Sequence, residues 1–236
     1  MPKFYAGTSG FAYASWKPDF YPARTPARAF LEYYATRLSA VEINYTFRRL
    51  VSPSTLESWI AATPPSFVFA LKANWRITHI KRLREAGEIT GAFVRSIEPL
   101  ANAGRLGPVL FQLPPRFPCA PDLLAEYLEL LPPRMRCAFE FRDRSWLNDG
   151  VYRILEQRRV CLCLSESEKL EVPEVLTSDF VYLRLRKTDY SAEEREQIAE
   201  RARRLLAEGR DVFLFFKHEE TPAGAIYAEE LLGRSL

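Results

Sequence analysis

"CAFEFRDRSW", residues 137–146, is the stretch on which the fold turns. Residues two apart in a strand point to the same side. One face therefore carries Cys137, Phe139 and Phe141, and the other carries Ala138, Glu140 and Arg142. A half-exposed antiparallel strand would place Glu140 and Arg142 in water. A strand of a parallel barrel would point them inward. The neighbouring segments decide between the two.

Before this stretch, "GPVLFQLPP" (residues 107–115) reads as a strand stopped by prolines, and "PDLLAEYLELL" (121–131) as a helix. After it, "GVYRILEQR" (150–158) is helical and "VCLCLSE" (160–166) is a strand. The rhythm extends both ways. "KFYAGTSG" (3–10), "AVEIN" (40–44), "FVFALKA" (67–73), "FVYLRLR" (180–186) and "DVFLFF" (211–216) supply the remaining strands. Helices follow "TPARAFLEYYATRL" (25–38), where Thr25 is placed to cap, and "SPSTLESWI" (52–60), where Ser52 is. A weaker helical pattern covers residues 89–104. The clearest runs from Ser191, which with Glu194 forms a capping box, to Gly209. "SEKLEVPEVLTSD" (167–179) has no helical period, so the sixth helix is expected to be short or irregular. Eight strands alternating with helices imply a parallel sheet with helices outside. Residues 1–236 are expected to form one α/β domain, a single (β/α)8 TIM-type barrel. A doubly wound open sheet is the alternative, weakened by the lack of a Gly-x-Gly-x-x-Gly or Walker lysine loop.

The totals are those of a soluble globular protein: 236 residues, 47% hydrophobic, 27% charged and a net charge of +3. That charge tolerates an anionic ligand but is not the dense positive stripe of a dedicated nucleic-acid binder. No apolar run approaches the roughly 18 residues of a membrane span, and the start carries no signal-peptide pattern. The expected location is the cytoplasm, with no membrane partner. The four cysteines form no Cys-x-x-Cys pair. They read as small buried hydrophobes rather than zinc ligands.

Alternation applied strand by strand leaves Glu42 and Asn44 of "AVEIN", Lys72 of "FVFALKA", Gln112 of "VLFQL", and Tyr182, Arg184 and Arg186 of "VYLRLR" on the inner face beside Glu140 and Arg142. The charged residues sit toward the C-terminal strand ends, where barrel active sites form. The two histidines fall at the same rim: His79 in "RITHIKR" and His218 in "FFKHEE". They suit acid–base chemistry near neutral pH. A divalent metal held by them with Glu42 or Glu140 is a minor reading without a local ligand motif. A self-satisfied internal salt-bridge network is the structural alternative.

"GTSGFAYASWKPDFYP", "YYATRLSAVEINYTF", "FALKANWRITH", "GPVLFQLPPRF", "AFEFRDRSW" and "VYLRLR", in this order, resemble the DUF72 (YecE-like) family over nearly the whole chain. The resemblance implies a TIM barrel and supplies no reaction, because the family's activity is not established. It also implies shared polar positions at Thr8, Glu42, Asn44, Lys72, His79, Gln112, Glu140, Arg142, Trp146 and Arg184. The sequence departs from the family pattern at Arg48, Val51, Arg186, Lys187 and His218, and Glu166 fills a place where the pattern often has Asp. These changes make one side of the mouth more basic.

Three functional readings follow. In the first, the chain is an enzyme, of hydrolase, lyase or isomerase type, on a small phosphate- or carboxylate-bearing ligand. Thr8, Asn44, Lys72, Gln112, Arg142, Trp146 and Arg184 would bind it, and Glu42, Glu140, His79 and His218 would exchange protons. In the second it is a nucleic-acid-binding or nuclease-like barrel, by fold analogy with endonuclease IV-type enzymes. In the third it binds a small ligand without catalysis.

Overall fold

A computed structural model describes residues 1–217 and 220–234. The anticipated strands are present and pair in parallel. They are β1 (Phe4–Thr8), β2 (Ala40–Ile43), β3 (Val68–Lys72), β4 (Leu106–Gln112) and β5 (Cys137–Glu140), then a sixth stave broken at Cys163 into β6 (Cys161–Leu162) and β7 (Leu164–Ser165), then β8 (Phe180–Leu185) and β9 (Asp211–Phe216). Hydrogen bonding orders them as two sheets, β2-β3-β4-β5-β6 and β1-β9-β8-β7. The sheets meet at two seams. At one, the chain itself passes from β6 to β7 through Cys163. At the other, Ser9 bridges Glu42 in parallel, Gly10 N–H donates to the Glu42 carbonyl at 2.8 Å and Ser39 N–H to the Ala6 carbonyl at 3.3 Å. The eight staves form a (β/α)8 barrel. Gly7 permits the second seam, because a Cβ there would lie 1.8 Å from the Ala40 carbonyl oxygen.

Outside the staves lie α1 (Phe30–Arg37), α2 (Tyr45–Arg48), α3 (Pro53–Ala61), α4 (Gly87–Asn102), α5 (Pro121–Leu128), α6 (Asp149–Gln157), α7 (Ala192–Ala207) and α8 (Ala223–Leu232). Local chemistry sets their starts. Ser52 accepts from Thr55 N–H ahead of α3, Asn148 from Val151 N–H ahead of α6, and the Ser191–Glu194 capping box opens α7. Thr25 caps nothing, because α1 is entered through a 3-10 turn at Ala27–Ala29. Between β7 and β8 the described chain forms no helix. Thr177 ties this crossover to the sixth stave, accepting from Leu162 N–H at 2.9 Å and donating to the Val160 carbonyl at 2.6 Å.

The two faces of the staves build two separate cores. The outer one packs Val41, Ile43, Phe139, Phe141, Val181 and Leu183 among helix residues such as Tyr127 and Leu155. Phe139 stacks on Phe111 at 5.0 Å, and Phe141 on Trp146 at 4.9 Å. Each buried side chain of this size stabilises the fold by roughly 1.5–3 kcal/mol. The inner core sets Ala40, Ala70 and Ala138 of one sheet against Phe180, Tyr182, Phe213 and Phe215 of the other. Small residues on one wall make room for rings from the opposite wall, so the barrel is plugged rather than open. At the N-terminal end Tyr5 stacks on Phe213 at 4.7 Å, and Arg136 lies over Phe180 and Phe213 while pairing Asp211 at 2.7 Å. Among the described residues no helix is long and apolar enough to cross a membrane.

Candidate functional site

One residue pair above this plug, the inner face turns polar. The positions following Ala40, Ala70, Leu110 and Ala138 at a spacing of two are Glu42, Lys72, Gln112 and Glu140, and the one following Tyr182 is Arg184. Arg184, 2% exposed, is the centre of the group. One arm of its fork donates to Glu140 and the other to Glu42 Oε1 at 2.8 Å. A guanidinium that commonly grips one carboxylate with two bonds here divides itself between two. Its Nε is buried without a hydrogen-bond partner among the described residues.

The two carboxylates are saturated and sealed. Glu42, wholly buried, also accepts from Ser9 Oγ and from Tyr182 OH at 2.8 Å. Glu140 accepts from Gln112 Nε2 at 2.8 Å and Arg142 Nε at 2.9 Å, with Arg186 Nη1 at 3.5 Å. Burial alone would push the Glu140 carboxyl up. Arg184 and Arg142, with the Gln112 hydrogen bond, overcome that and hold it at about 2. The same carboxylates raise Arg184 well above its ordinary value against the opposing effect of burial.

The cations nearer the opening are less well matched. Lys72 ends β3 half-buried, with its Nζ 4.1 Å from the centroid of the Phe47 ring. No carboxylate among the described residues lies within ion-pair range of it. Burial lowers Lys72 to about 8, Arg184 adding to the fall and Glu42 and Glu140 opposing it. His79 stands on a π-helical turn, Arg76–Ile80, of the kind often met at functional sites. Its Nδ1 is 2.9 Å from Thr78 Oγ1, and its ring meets Phe47 edge-on at 5.0 Å. Burial, then Lys72, Arg142, Arg48 and Arg82, depress His79 to about 4, so it is neutral at pH 7. The chain beyond it holds Arg82, Leu83 and Glu85 at φ of 47°, 68° and 45°, left-handed values that cost non-glycine residues strain. Arg142 and Arg186 each spend one side-chain nitrogen on Glu140, and their other N–H groups have no protein partner among the described residues. Four cationic side chains, Lys72, Arg142, Arg184 and Arg186, thus face two buried carboxylates; a third, Glu166 after β7, is taken up by the Arg186 and Lys187 backbone N–H groups and Tyr190 OH.

The other expected residues lie elsewhere. Thr8 is turned outward: its hydroxyl lies 2.9 Å from Tyr34 OH of α1 and donates to the Gly10 carbonyl. The inward residue at that level is Ser9. Trp146 is fully buried behind β5 and donates from Nε1 to the Phe117 carbonyl at 2.6 Å, so it is part of the outer core and cannot touch a ligand at the mouth. Asn44 sits half-buried before α2 and makes no side-chain cap bond. His218 lies outside the described residues. Sequence reasoning missed Ser9 and Phe47. Ser9 shares the period-two face of Tyr5 and Gly7, but the small residues on both faces of β1 do not say which face is inward, and Phe47 lies beyond the strand, where periodicity gives no signal. Among the described residues no three His, Cys, Asp or Glu side chains gather as a metal would require.

The family relatives agree on the lineage, and their names give no activity. The chain is 32% identical to the UPF0759 protein YunF of Bacillus subtilis over 57% of its own length and 50% of that protein's, so this match spans only half of the relative. It is 28% identical to the UPF0759 protein YecE of Escherichia coli over 70% of each. A crystal structure of a DUF72 family protein from Thermotoga maritima superposes with a TM-score of 0.86 at 27% identity, covering 98% of both chains. Another, from Enterococcus faecalis, gives 0.79 at 18% identity over 100% of this chain and 99% of that one, a likeness of fold alone. The family model described as "Protein of unknown function DUF72" matches residues 5–235, and the chain therefore belongs to the DUF72 family.

Proposed function

We propose that the C-terminal mouth of the barrel binds a small ligand carrying a phosphate or carboxylate group and performs proton-transfer chemistry on it. The observation that carries this reading is the surplus of cations over carboxylates at the mouth, with spare N–H groups on Arg142 and Arg186, whose side chains are 33% and 26% exposed. Guanidinium groups with unfilled donors are suited to planar anions. The proton-transfer role moves away from the carboxylates. Glu42 and Glu140 are buried and fully bonded, and Glu140 is held ionised to about 2, so both serve to position the arginines. The group placed to exchange protons near neutral pH is Lys72, at about 8, while His79, at about 4, is a neutral hydrogen-bonding neighbour. Four free thiols fit a reducing compartment, which supports the cytoplasm as the place of action.

Thermal unfolding in the presence of inorganic phosphate tests this reading. A ligand at a hundredfold excess over its Kd stabilises by about 2.7 kcal/mol. Wild type should gain stability with phosphate at constant ionic strength, and Arg142→Met should not. Equal gains in both proteins would remove the mouth as the site. A second reading, single-stranded nucleic-acid binding, rests on Arg48 lying over Trp75 at 5.5 Å beside exposed Tyr45, Arg49 and Arg76. It predicts oligonucleotide affinity that falls steeply with salt.

A further inference from the structure

We infer that Lys72 is a nucleophilic amine which forms an imine with a small carbonyl compound carrying an anionic group, an inference that rests on the anion-site reading and names its substrate class. Three observations converge on it. Lys72 is half-buried at the wall of the mouth, yet both neighbouring carboxylates are already committed to arginines, and among the described residues its ammonium meets only the Phe47 ring. A lysine kept solely for structure in such a place is expected to be paired. Arg184 and Arg142 lie close enough to repel its charge, an arrangement that activates lysines for carbonyl chemistry. His79, uncharged and with Nε2 free of any hydrogen bond among the described residues, meets the same Phe47 ring and supplies a neutral hydrogen-bonding group there. The spare N–H groups of Arg142 and Arg186 would hold the anionic group while the carbonyl carbon meets Nζ.

The chemistry closes without a further reactant. The fraction of Lys72 that has already given its proton to solvent attacks, and the lone pair of Nζ bonds to the carbonyl carbon. The C=O π pair moves to oxygen. Nζ, cationic after the attack, loses a proton as the oxygen gains one, giving a neutral carbinolamine; its recovered lone pair then forms the C=N bond as the hydroxyl takes a proton from solvent and leaves as water. In sum, an ammonium and a carbonyl give a protonated imine and water. With Lys72 at about 8, roughly a tenth of it is free amine at pH 7, far more than for an ordinary lysine.

The test is reductive trapping of the intact protein. Wild type is incubated with glyoxylate or pyruvate, reduced with borohydride, digested and mapped by mass spectrometry. The expected result is an adduct on Lys72 at concentrations that leave the exposed Lys3, Lys81 and Lys169 unmodified. Trapping should be slowed by inorganic phosphate and should rise with pH to a plateau above about 8. Lys72→Arg should lose the adduct while keeping the thermal shift with phosphate. An unmodified Lys72, or labelling no faster than the exposed lysines, overturns the imine. If phosphate still stabilises wild type but not Arg142→Met, the anion site survives that failure. If phosphate acts on neither, both readings fall.

Discussion

The two ends of the barrel are made from the same alternation of inward and outward residues, yet they treat charge differently. At the N-terminal end Arg136 meets Asp211 one to one at 2.7 Å over the faces of Phe180 and Phe213, and Asp211 also accepts from the Lys3 N–H at 2.8 Å. Each charge there finds its answer within the protein. At the C-terminal end two carboxylates are shared among three arginines, and Lys72 is left with an aromatic face. The difference separates charge that closes a structure from charge that awaits something else. A buried cation network that served stability alone would match its signs, since unmatched buried charge costs several kcal/mol.

The largest expected effect comes from the residue that joins the two carboxylates. Arg184→Met would leave Glu42 and Glu140 buried without their common cation, at a cost of roughly 3–5 kcal/mol, read by denaturant unfolding. A loss below about 1 kcal/mol, the range of exposed pairs, would mean that the mouth is as wet as the surface, and the contrast between the ends would collapse.

Acid should separate the ends next. The Glu140 carboxyl is held at about 2 in the folded protein, below its ordinary 4.5. Its contribution is therefore complete above pH 4.5 and is lost as pH falls toward 2. His79, depressed to about 4, adds a loss of stability between pH 6.5 and 4, because the unfolded chain takes up that proton first. Glu140→Gln should remove the part of this acid slope between pH 4.5 and 2. An unchanged slope would place the acid-sensitive groups elsewhere.

Lys72→Met should act in the opposite sense. Because Lys72 is lowered to about 8, the folded state carries a penalty for the ammonium at pH 7. Replacing it should stabilise the protein at pH 7, on the order of 1 kcal/mol. The advantage should shrink between pH 8 and 10.5 as the wild-type lysine loses its proton. Destabilisation at pH 7 would show that the ammonium has a partner after all. The smallest effect belongs to the opposite end: Arg136→Met breaks a pair that is 39% and 18% exposed, worth roughly 0.2–1 kcal/mol. That variant should leave the thermal response to phosphate intact.

The fold was largely legible in the sequence because prolines and glycines mark the ends of its strands and the apolar period changes between two and 3.6. Glu42, Lys72, Gln112, Glu140 and Arg184 were legible for the same reason. Thr8 was not, because Ala6 and Thr8 on one face and Gly7 and Ser9 on the other are all small, so alternation gives β1 no direction. Trp146 lies past the end of β5 in a 3-10 turn, where the period of two no longer applies. Which cation would be left unpaired was hidden as well. It follows from Arg184 reaching across the barrel to residues 142 and 44 positions away in the chain, and no local pattern encodes that choice. The break at Cys163 is equally silent, since "VCLCL" reads as one continuous strand.

The way the two sheets divide the chain has a consequence for synthesis on the ribosome. β2 to β6 are contiguous and can pair as soon as they emerge, whereas β1, the first strand made, is hydrogen-bonded to β9, the last. Glu42 and Glu140 belong to the early sheet and Arg184 to the late one. A nascent half-barrel thus holds two inward carboxylates with no bridging cation, and the arrival of β8 links both through Arg184 at once. The arginine that organises the mouth of the finished protein is also the signal that the ring is nearly whole.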